Sequence, residues 1–260
     1  MAVTNIHPTA IVDPKAELAD DVSVGAFSII GPDVRIDSGT SVGPHVVING
    51  HTSIGKHNQI FQFSSLGEAP QDKKYEGEPT KLEIGDHNTI REFCTFNRGT
   101  AQDKGITKIG DHNWIMAYVH IAHDCHVHNH TILANNSSLA GHVDLYDHAI
   151  LGGFTLVHQF CKIGQHVITA VGSVVFKDIP PYVTASGYDA NPHGINAEGL
   201  KRRGYSAERI TNIKRAYKTL YRQSLSLDEA KTKLAEQALS APELNILVDF
   251  LSQSTRGIIR

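Results

Sequence analysis

One unbroken stretch of the chain decides its fold, residues 109–175: IGDHNWIMAYVHIAHDCHVHNHTILANNSSLAGHVDLYDHAILGGFTLVHQFCKIGQHVITAVGSVV. Starting from Ile109, every sixth residue is aliphatic, and only Thr169 departs from Ile, Leu or Val. A period of six fits neither the turn of an α-helix nor the two-residue alternation of a long strand. It is typical of a short strand and a tight turn repeated many times, the hexapeptide pattern of a parallel β-helix.

The same period governs the N-terminal part of the chain. It begins at Ile6, continues without a gap to Leu66, and resumes at Ile84. Three hexads make one triangular coil of about 18 residues, so the aliphatic side chains fill the interior of a prism. Two polar interruptions, residues 67–83 and 100–108, are predicted to be loops extruded from the coils, where binding groups commonly lie.

The hexapeptide pattern ends near Val175. Residues 179–194 (IPPYVTASGYDANPHG) are rich in Pro, Gly and Asn and are predicted not to form strands. From Asn196 onward, apolar residues recur at helical spacing. We therefore predict a mainly β protein with two domains, a β-helix at residues 1–190 with its two extruded loops and a C-terminal α-helical domain at residues 191–260.

Two helix starts in the C-terminal domain are predicted from capping boxes. In a capping box, a Ser side chain and a Glu side chain three residues later satisfy each other's backbone N–H groups. The sequence offers Ser226 with Glu229 and Ser240 with Glu243.

Composition and charge exclude several classes of protein. The chain has 260 residues and a formal net charge of −3, which argues against nucleic-acid binding. No stretch approaches the roughly 18 apolar residues of a membrane span, and the N-terminus lacks the basic start and apolar run of a signal peptide. We therefore expect a cytoplasmic protein with no membrane span. Cys94, Cys125 and Cys161 each follow an aliphatic position by four residues and are predicted to be small core residues.

The coil length converts sequence spacing into spatial neighbours. Residues 18 apart stack on the same corner of the prism, about 4.8 Å apart. His123 is thereby placed below Gly141, and Asp124 below His142. The edge that this arithmetic assembles carries His120, His123, Asp124, Gly141, His142, His158 and Gln159.

Two chemistries suit this edge, and a third interpretation assigns it none. A histidine oriented by a carboxylate, next to a backbone N–H, is typical of general-base catalysis of acyl transfer. Three histidines around a water could instead bind zinc. Finally, some of the 16 histidines are expected to be scattered on the surface. Solvated turn positions of this kind are predicted for His112, His126, His128, His130, His148 and His166.

Five motifs resemble those of the UDP-N-acetylglucosamine O-acyltransferases that open lipid A biosynthesis in Gram-negative bacteria, within the hexapeptide-repeat acyltransferase superfamily. They are GEAPQDKKYEGEPT (67–80), HIAHDC (120–125), LANNSSLAGHV (133–143), VHQF (157–160) and NAEGLKRRG (196–204). The resemblance covers residues 6–260. The loop motif and NAEGLKRRG are its most selective parts, because many acyltransferases share hexapeptide repeats.

The resemblance implies a fold, a reaction and an assembly. The prism is expected to coil left-handed and to form a homotrimer with active sites between neighbouring prisms. The expected reaction moves an (R)-3-hydroxyacyl group from acyl carrier protein to the 3-hydroxyl of UDP-N-acetylglucosamine. The donor arrives on the phosphopantetheine arm of the carrier, so no metal and no cofactor of the enzyme's own are expected.

The resemblance also implies roles for individual residues. His123 is expected to be the general base, Asp124 to orient it, and the Gly141 N–H to bind the oxyanion. Sugar and acyl groups are expected to contact Gln71, Asp72, Lys74, His120, His142, His158 and Gln159. The nucleotide, its phosphates and the carrier protein are expected to contact Asn196, Glu198, Arg202 and Arg203. Asn97 departs from the family, which often has histidine there.

Val171 is the expected ruler of acyl length. Longer-chain members of the family resemble one another in carrying glycine at this position. The rise from His123 to Val171 along the prism axis is about 13 Å at the strand spacing, which suits an acyl chain of roughly 12 carbons. The acyl tail is expected to run along the axis from His123 to this side chain.

Rival functions remain open from the sequence. A zinc hydratase of the hexapeptide class would need three histidines on one metal. The related N-acyltransferase of the same biosynthesis carries an extra N-terminal uridine-binding domain, for which repeats starting at Ile6 are expected to leave no room. A purely structural β-helix would need neither NAEGLKRRG nor the 67–80 loop.

Overall fold

The computed structural model describes residues 5–260, so the first four residues of the predicted 1–190 domain lie outside the described residues. The chain forms a left-handed parallel β-helix followed by a helical region. Most strands are two residues long, and within residues 5–260 they build three sheets, here named A, B and C. The mainly β fold class is confirmed.

Sheet A contains β1 (Asn5–Ile6), β4 (Ser23–Val24), β7 (Ser41–Val42), β10 (Gln59–Ile60), β13 (Thr89–Ile90), β16 (Trp114–Ile115), β19 (Ile132–Leu133), β22 (Ile150–Leu151), β25 (Ile168–Thr169), β27 (Val183–Ser186) and β28 (Asn191–Ile195). Sheet B contains β2 (Ile11–Val12), β5 (Ile29–Ile30), β8 (Val47–Ile48), β11 (Ser65–Glu68), β14 (Thr95–Asn97), β17 (His120–Ile121), β20 (Ser138–Leu139), β23 (Leu156–Val157) and β26 (Val174–Val175). Sheet C contains β3 (Glu17–Leu18), β6 (Val34–Ile36), β9 (His51–Ile54), β12 (Lys81–Ile84), β15 (Ile106–Ile109), β18 (His126–Val127), β21 (Asp144–Leu145) and β24 (Lys162–Ile163).

The hexapeptide period fixes both the register and the core. Ile115 pairs with Leu133, and Leu133 with Leu151, so each parallel partner lies 18 residues further along the chain. Every residue of the aliphatic series from Val24 to Val175 is at most 3% exposed. The series therefore fills the prism, and burial of this apolar surface is the main source of its stability.

The prism has three corners, each named here by the sheets that it joins in chain order: AB, BC and CA. Most coils turn each corner with a residue in the left-handed backbone region, with φ between +54° and +66° for nearly all of them. Non-glycine residues rarely adopt this conformation, and histidine, asparagine and aspartate adopt it more readily than most. This requirement accounts for many of the chain's histidines.

Both extruded loops leave the prism at corner BC. The first, residues 69–80, joins β11 to β12, and the second, residues 98–105, joins β14 to β15. The next coil turns the same corner with His123 and Asp124 between β17 and β18. The loops therefore lie one and two coils before these two residues, on the same edge of the prism.

The prediction that residues 179–194 form no strands is wrong. β27 pairs in parallel with β25 and antiparallel with β28, which extends sheet A beyond the last coil. β28 is the edge strand of the sheet, where the missing N–H of Pro192 costs no ladder hydrogen bond. β28 also lies C-terminal to residue 190, so the sheet continues to Ile195.

The C-terminal region is helical. Its elements are α1 (Ala197–Arg202), α2 (Ala207–Tyr221), α3 (Leu227–Ala238), a 3₁₀ helix (Pro242–Leu244) and α4 (Asn245–Gln253). No helix within residues 5–260 is both long and apolar enough to cross a membrane.

One of the two predicted capping boxes is confirmed. Ser226 and Glu229 exchange both hydrogen bonds at the start of α3. The box predicted at Ser240 is wrong, because the 3₁₀ helix begins after Ala241 without a side-chain cap. Glu243 is instead buried and accepts a hydrogen bond from the Asn212 side chain at 2.9 Å.

The cysteines are core residues, as predicted. Cys94, Cys125 and Cys161 are free thiols and are buried. Burial raises the pKa of Cys94 and Cys125 to about 12, so their thiols stay protonated and unreactive at neutral pH.

Candidate active site

His123 and Asp124 form a paired dyad at corner BC. Nδ1 of His123 lies 2.8 Å from Oδ2 of Asp124, whose side chain is 0% exposed. An ionised carboxylate only accepts hydrogen bonds, so this contact assigns the imidazole proton to Nδ1. The lone pair of His123 is then on Nε2, which is the arrangement of a general base.

Gly141 lies directly above His123, as the coil arithmetic predicts. A Cβ atom at this position would come within 2.6 Å of Cε1 and 2.8 Å of Nε2 of His123. Only glycine leaves space for the imidazole at that edge. Within residues 5–260, the Gly141 N–H donates to no protein acceptor, so it is available to a ligand.

His142 completes the group on the coil above. Its ring meets that of His123 edge-on, with centroids 5.0 Å apart, and stacks on Phe160 at 4.3 Å. Its Nδ1 lies 2.8 Å from a carboxylate oxygen of Asp103, and its Nε2 lies 4.0 Å from Oδ2 of Asp124. Two imidazoles and two carboxylates thus share one small volume.

A cleft of about 930 Å³ surrounds these groups. It brings together eight of the residues that the sequence analysis singled out: Gln71, Asp72, Lys74, His123, Asp124, Gly141, His142 and Gln159. Sequence reasoning missed other lining residues, among them Thr100, Gln102, Asp103, Lys104, Lys162 and Thr255. The first four belong to the second extruded loop, whose presence the sequence indicates but whose contacts it does not.

Two further predicted histidines lie outside the lining of this cleft. Nδ1 of His120 lies 2.8 Å from the Thr95 hydroxyl, and burial lowers the pKa of this imidazole. Nδ1 of His158 lies 3.1 Å from the Gln159 carbonyl oxygen, to which it donates. Asn97, the departure from the family pattern, is buried and donates to the Ala69 carbonyl at 2.9 Å, which anchors the first loop.

The NAEGLKRRG residues lie near a different corner from His123. Asn196 caps α1, accepting from the Gly199 N–H at 3.0 Å. Arg203 donates to the carbonyl of His148, a residue of corner CA, at 3.2 Å. Glu198 and Arg202 are exposed on the same short helix. The structure therefore does not bring these four residues into the cleft of their own chain.

Val171 lies at corner AB, between β25 and β26, and is 75% exposed. The expectation that an acyl tail runs straight along the axis from His123 to Val171 is therefore wrong for a single chain. Their separation of 48 residues is not a multiple of the 18-residue coil, and the remainder carries the chain to another corner.

Several histidines outside the cleft depart from the solvated turns predicted for them. His112 and His130 are exposed turn residues, as predicted. His126 lies in β18 instead, and His166 is only 7% exposed. Burial lowers the pKa of His166 to about 3, so it is neutral in the folded protein.

Two groups within the described residues could offer three ligand atoms to a metal ion. One is the dyad itself with His142, and the other consists of His126, His128 and Asp144. Burial is the main reason why the pKa of His126 is lowered to about 4, and the nearby charges of Lys108 and Lys104 lower it further. The same positive charges oppose a cation there, so the group is a poor metal site.

Comparisons with known proteins show what the chain is similar to. The family model described as UDP N-acetylglucosamine O-acyltransferase, domain 2, matches residues 178–259, and bacterial transferase hexapeptide repeats match residues 15–50 and 106–141. The acyl-[acyl-carrier-protein]–UDP-N-acetylglucosamine O-acyltransferase of Thiobacillus denitrificans is 66% identical over 258 residues, covering 99% of this chain and 100% of that protein.

A second curated relative and a solved structure extend the similarity. The protein of the same name from Neisseria gonorrhoeae is 60% identical, with 99% of this chain and 100% of that protein covered. The crystal structure of UDP-N-acetylglucosamine O-acyltransferase from Moraxella catarrhalis superposes with a TM-score of 0.97 at 47% identity, covering 98% of this chain and 99% of that one.

Proposed function

The chain belongs to the family of UDP-N-acetylglucosamine O-acyltransferases, which carry out the first step of lipid A biosynthesis, and from this premise we propose that the corner BC cleft is its active site. There, an (R)-3-hydroxyacyl group passes from acyl carrier protein to the 3-hydroxyl of UDP-N-acetylglucosamine. The observation that carries the proposal is the His123–Asp124 dyad, seated in a cleft beneath a glycine whose N–H is unoccupied.

His123 acts as the base in this reaction. Its Nε2 takes the proton of the sugar 3-hydroxyl as that oxygen attacks the thioester carbonyl, and the Gly141 N–H binds the oxyanion that forms. Asp124 stabilises the imidazolium. When the tetrahedral intermediate collapses, the carbon–sulfur bond breaks and the thiolate of the phosphopantetheine arm receives the proton. A positioned base contributes roughly 10²- to 10⁴-fold in rate.

The first extruded loop supplies the remaining contacts of the cleft. Gln71, Asp72 and Lys74 face the same volume as His142 and Gln159. Lys74 offers a cation and Asp72 a carboxylate, which suit the hydroxyl and amide groups of the sugar and of the 3-hydroxyacyl chain. His120 and His158 lie outside the lining of the cleft, and we propose that they contact the acyl chain beyond it.

The site is completed by a neighbouring copy in a homotrimer. Asn196, Glu198, Arg202 and Arg203 lie away from their own chain's cleft, and Val171 lies at corner AB. Arg202 is exposed on α1 and offers its guanidinium to a nucleotide phosphate. A neighbour that places these residues beside His123 completes both the nucleotide site and the acyl path.

Exposed apolar side chains at corner AB support this assembly. Phe63 is 48% exposed, Phe93 41% and Tyr118 54%, and their rings stack on one another on three successive coils of this corner. Contiguous apolar surface of this kind marks contact sites between proteins. A cyclic trimer lets each chain offer corner AB to one neighbour.

The proposed reaction needs no metal and no resident cofactor, because the thioester is already activated when it arrives on acyl carrier protein. The carrier is acidic, and a basic surface suits its docking. Exposed cations lie in the last turn of α1 and along α2: Lys201, Arg202, Arg209, Lys214 and Arg215. We place the protein in the cytoplasm, where both substrates are available.

Product analysis tests the reaction. The purified protein is incubated with UDP-N-acetylglucosamine and 3-hydroxyacyl carrier proteins of roughly 10 to 16 carbons, a range around the expected 12, and products are identified by mass spectrometry. A product heavier than the acceptor by one hydroxyacyl group is expected, with chelators having no effect. Absence of product from every donor, or activity that depends on stoichiometric bound zinc, would contradict the proposal.

Subunit mixing tests the shared site. His123→Ala and Arg203→Ala chains, each inactive alone, are co-refolded in equal amounts. If His123 and Arg203 of one site come from different chains, about a quarter of the sites regain both residues and activity returns to that level. No recovery from verified mixed trimers, or sedimentation of the wild type as a monomer, would contradict the shared site.

A further inference from the structure

Thr100 makes the closest contacts to the buried member of the dyad. Its hydroxyl lies 2.7 Å from Oδ2 of Asp124, and its backbone N–H lies 3.0 Å from Oδ1 and 3.1 Å from Oδ2. Thr100 is itself 1% exposed. Together with His123, this one residue of the second extruded loop supplies all the hydrogen bonds that the Asp124 carboxylate accepts within the described residues.

The corner turn does not by itself produce this arrangement. His142 and Phe160 occupy the equivalent left-handed turn position on the next two coils, and neither pairs with the residue before it. A carboxylate at that position has several rotamers within reach. The difference at Asp124 is the loop, which places two donors over the carboxylate oxygens.

A buried carboxylate without donors is costly, and one with poorly placed donors can turn away from its histidine. The Thr100 N–H spans both oxygens, while its hydroxyl bonds the same oxygen that accepts from His123. These bonds fix the carboxylate plane before the reaction begins. Charge that develops on the imidazole then meets a partner that needs no reorganisation.

We propose that Thr100 is a positioning residue, which orients Asp124 and through it holds His123 as the Nδ1–H tautomer. The inference rests on the proposed function for its kinetic part, but not for its structural part. Thr100 acts through another residue and is not required to contact substrate.

The chain offers a matched control. The Thr107 hydroxyl also bonds Asp124, at 2.8 Å, but to the backbone N–H and not to the carboxylate. Thr107 is likewise buried. Thr107→Val therefore removes a buried hydrogen bond of the Asp124 backbone and leaves the side-chain contacts of the dyad in place, whereas Thr100→Val removes a hydrogen bond of the Asp124 carboxylate.

The experiment compares the wild type with Thr100→Val, Thr100→Ser and Thr107→Val in the full chain. We expect kcat to fall about tenfold or more in Thr100→Val, with KM for UDP-N-acetylglucosamine changed less than about twofold. Thr100→Ser keeps the hydroxyl and should restore most of the rate. Thr107→Val should lower Tm and leave kcat within about threefold of wild type.

A spectroscopic readout separates orientation from folding. Nitrogen-15 shifts of the His123 ring, assigned by their loss in His123→Ala, should report Nδ1–H alone in the wild type and a mixture of tautomers in Thr100→Val. An unchanged tautomer and kcat in Thr100→Val, or equal kcat losses in Thr100→Val and Thr107→Val, would overturn the inference. A wild type without acyl transfer would overturn the proposed function instead, and the tautomer measurement would still decide the role of Thr100.

Discussion

Two corners of the prism are rich in histidine, and they use it in opposite ways. At corner CA, the rings of His57, His87, His112, His130, His148 and His166 stack in one column, with neighbouring centroids 4.8 to 5.0 Å apart. At corner BC, His123 has Gly141 above it and a carboxylate beside it. The first arrangement covers imidazole faces with other imidazoles, and the second leaves one imidazole edge open to the cleft.

The difference shows that a reactive histidine needs a neighbouring coil position without a side chain, which Gly141 provides for His123. At the turn position just before the left-handed one, the 18-residue coil spacing would place a side chain against the His123 ring if residue 141 carried one. No carboxylate bonds the rings of His112, His130 or His148 within the described residues. The repeat therefore stacks the histidines of corner CA into a structural column. At corner BC, the space left by Gly141 and the contact of the second loop with Asp124 leave His123 free to act as a base.

The largest expected effect comes from removing one imidazole at each of the two corners, because only the loss at corner BC should stop the reaction. His123→Ala is expected to lower kcat at least roughly 10²-fold with little change in Tm, because the base is lost and few core contacts are. His130→Ala, which removes an exposed ring of the column, should keep kcat within about threefold. Steady-state kinetics and thermal melts of both variants check the pair. Near-normal turnover of His123→Ala beside an inactive His142→Ala would assign the base to His142.

Acid should destabilise the protein through the buried end of the column. His166 has a folded pKa of about 3, well below the value of about 6.5 in an unfolded chain. As pH falls below about 6.5, the unfolded chain gains a proton that the folded chain cannot take, so the free energy of unfolding decreases. At pH 5 this linkage amounts to about 2 kcal/mol.

His166→Phe keeps an aromatic ring in the column and removes the titrating group. The variant should therefore lose less stability than the wild type between pH 7 and pH 5, by about 2 kcal/mol in denaturant titrations at the two pH values. His130→Phe is the matched control, since the His130 ring is exposed, and it should follow the wild type. Parallel pH dependence of His166→Phe and wild type would show that His166 takes up its proton without unfolding.

A side chain at residue 141 should occupy the space above His123 and displace its imidazole ring. In Gly141→Ala, the new methyl group meets the imidazole at 2.6 Å, so the ring must turn away from Asp124. We expect kcat to fall about tenfold. Gly43→Ala is the control at corner AB on a coil outside the cleft lining, where the nearest atom to a new Cβ is 3.0 Å away, and its kcat should stay within about twofold. Equal rates for both variants would argue against any need for space at residue 141.

The smallest expected effect concerns Val171 at corner AB and the preference for acyl-chain length. Val171→Gly should raise the ratio of kcat/KM for a 14-carbon donor over a 12-carbon donor about fivefold, because a longer tail fits when the isopropyl group is gone. Val171→Ile should shift the preference in the opposite direction. Competition assays with both donors measure the ratio directly. A ratio unchanged in both variants would assign the ruler to another residue.

The fold and part of the site could be predicted from spacing alone. The six-residue period identifies the core positions, and its 18-residue multiple places Gly141 over His123. The same arithmetic, applied to the 48 residues between His123 and Val171, places these residues at different corners. It therefore argues against the acyl path that the sequence analysis predicted along one edge. Local repetition carries this information because each coil contacts only its neighbours.

Contacts made by the extruded loops, where the six-residue period is interrupted, could not be predicted from the sequence. The contact of Thr100 with Asp124 joins residues 24 apart through an extruded loop, and that of Asp103 with His142 joins residues 39 apart. No coil multiple predicts either pair, since a loop's path depends on all of its backbone angles and contacts. The strands formed by residues 183–195 were hidden for a related reason, because the open edge of sheet A, and not local propensity, determines that they pair.

The sequence by itself determined the prism, its core and the residues that succeed one another at each corner, because a short repeat fixes neighbours at a constant spacing. Only the tertiary structure decided which of the corner histidines has a buried carboxylate, which loop residues hold that carboxylate, and which predicted residues lie too far from the cleft to serve it in the same chain. Those outcomes depend on non-local contacts, where side chains distant in sequence satisfy buried polar groups that no repeat unit can satisfy alone.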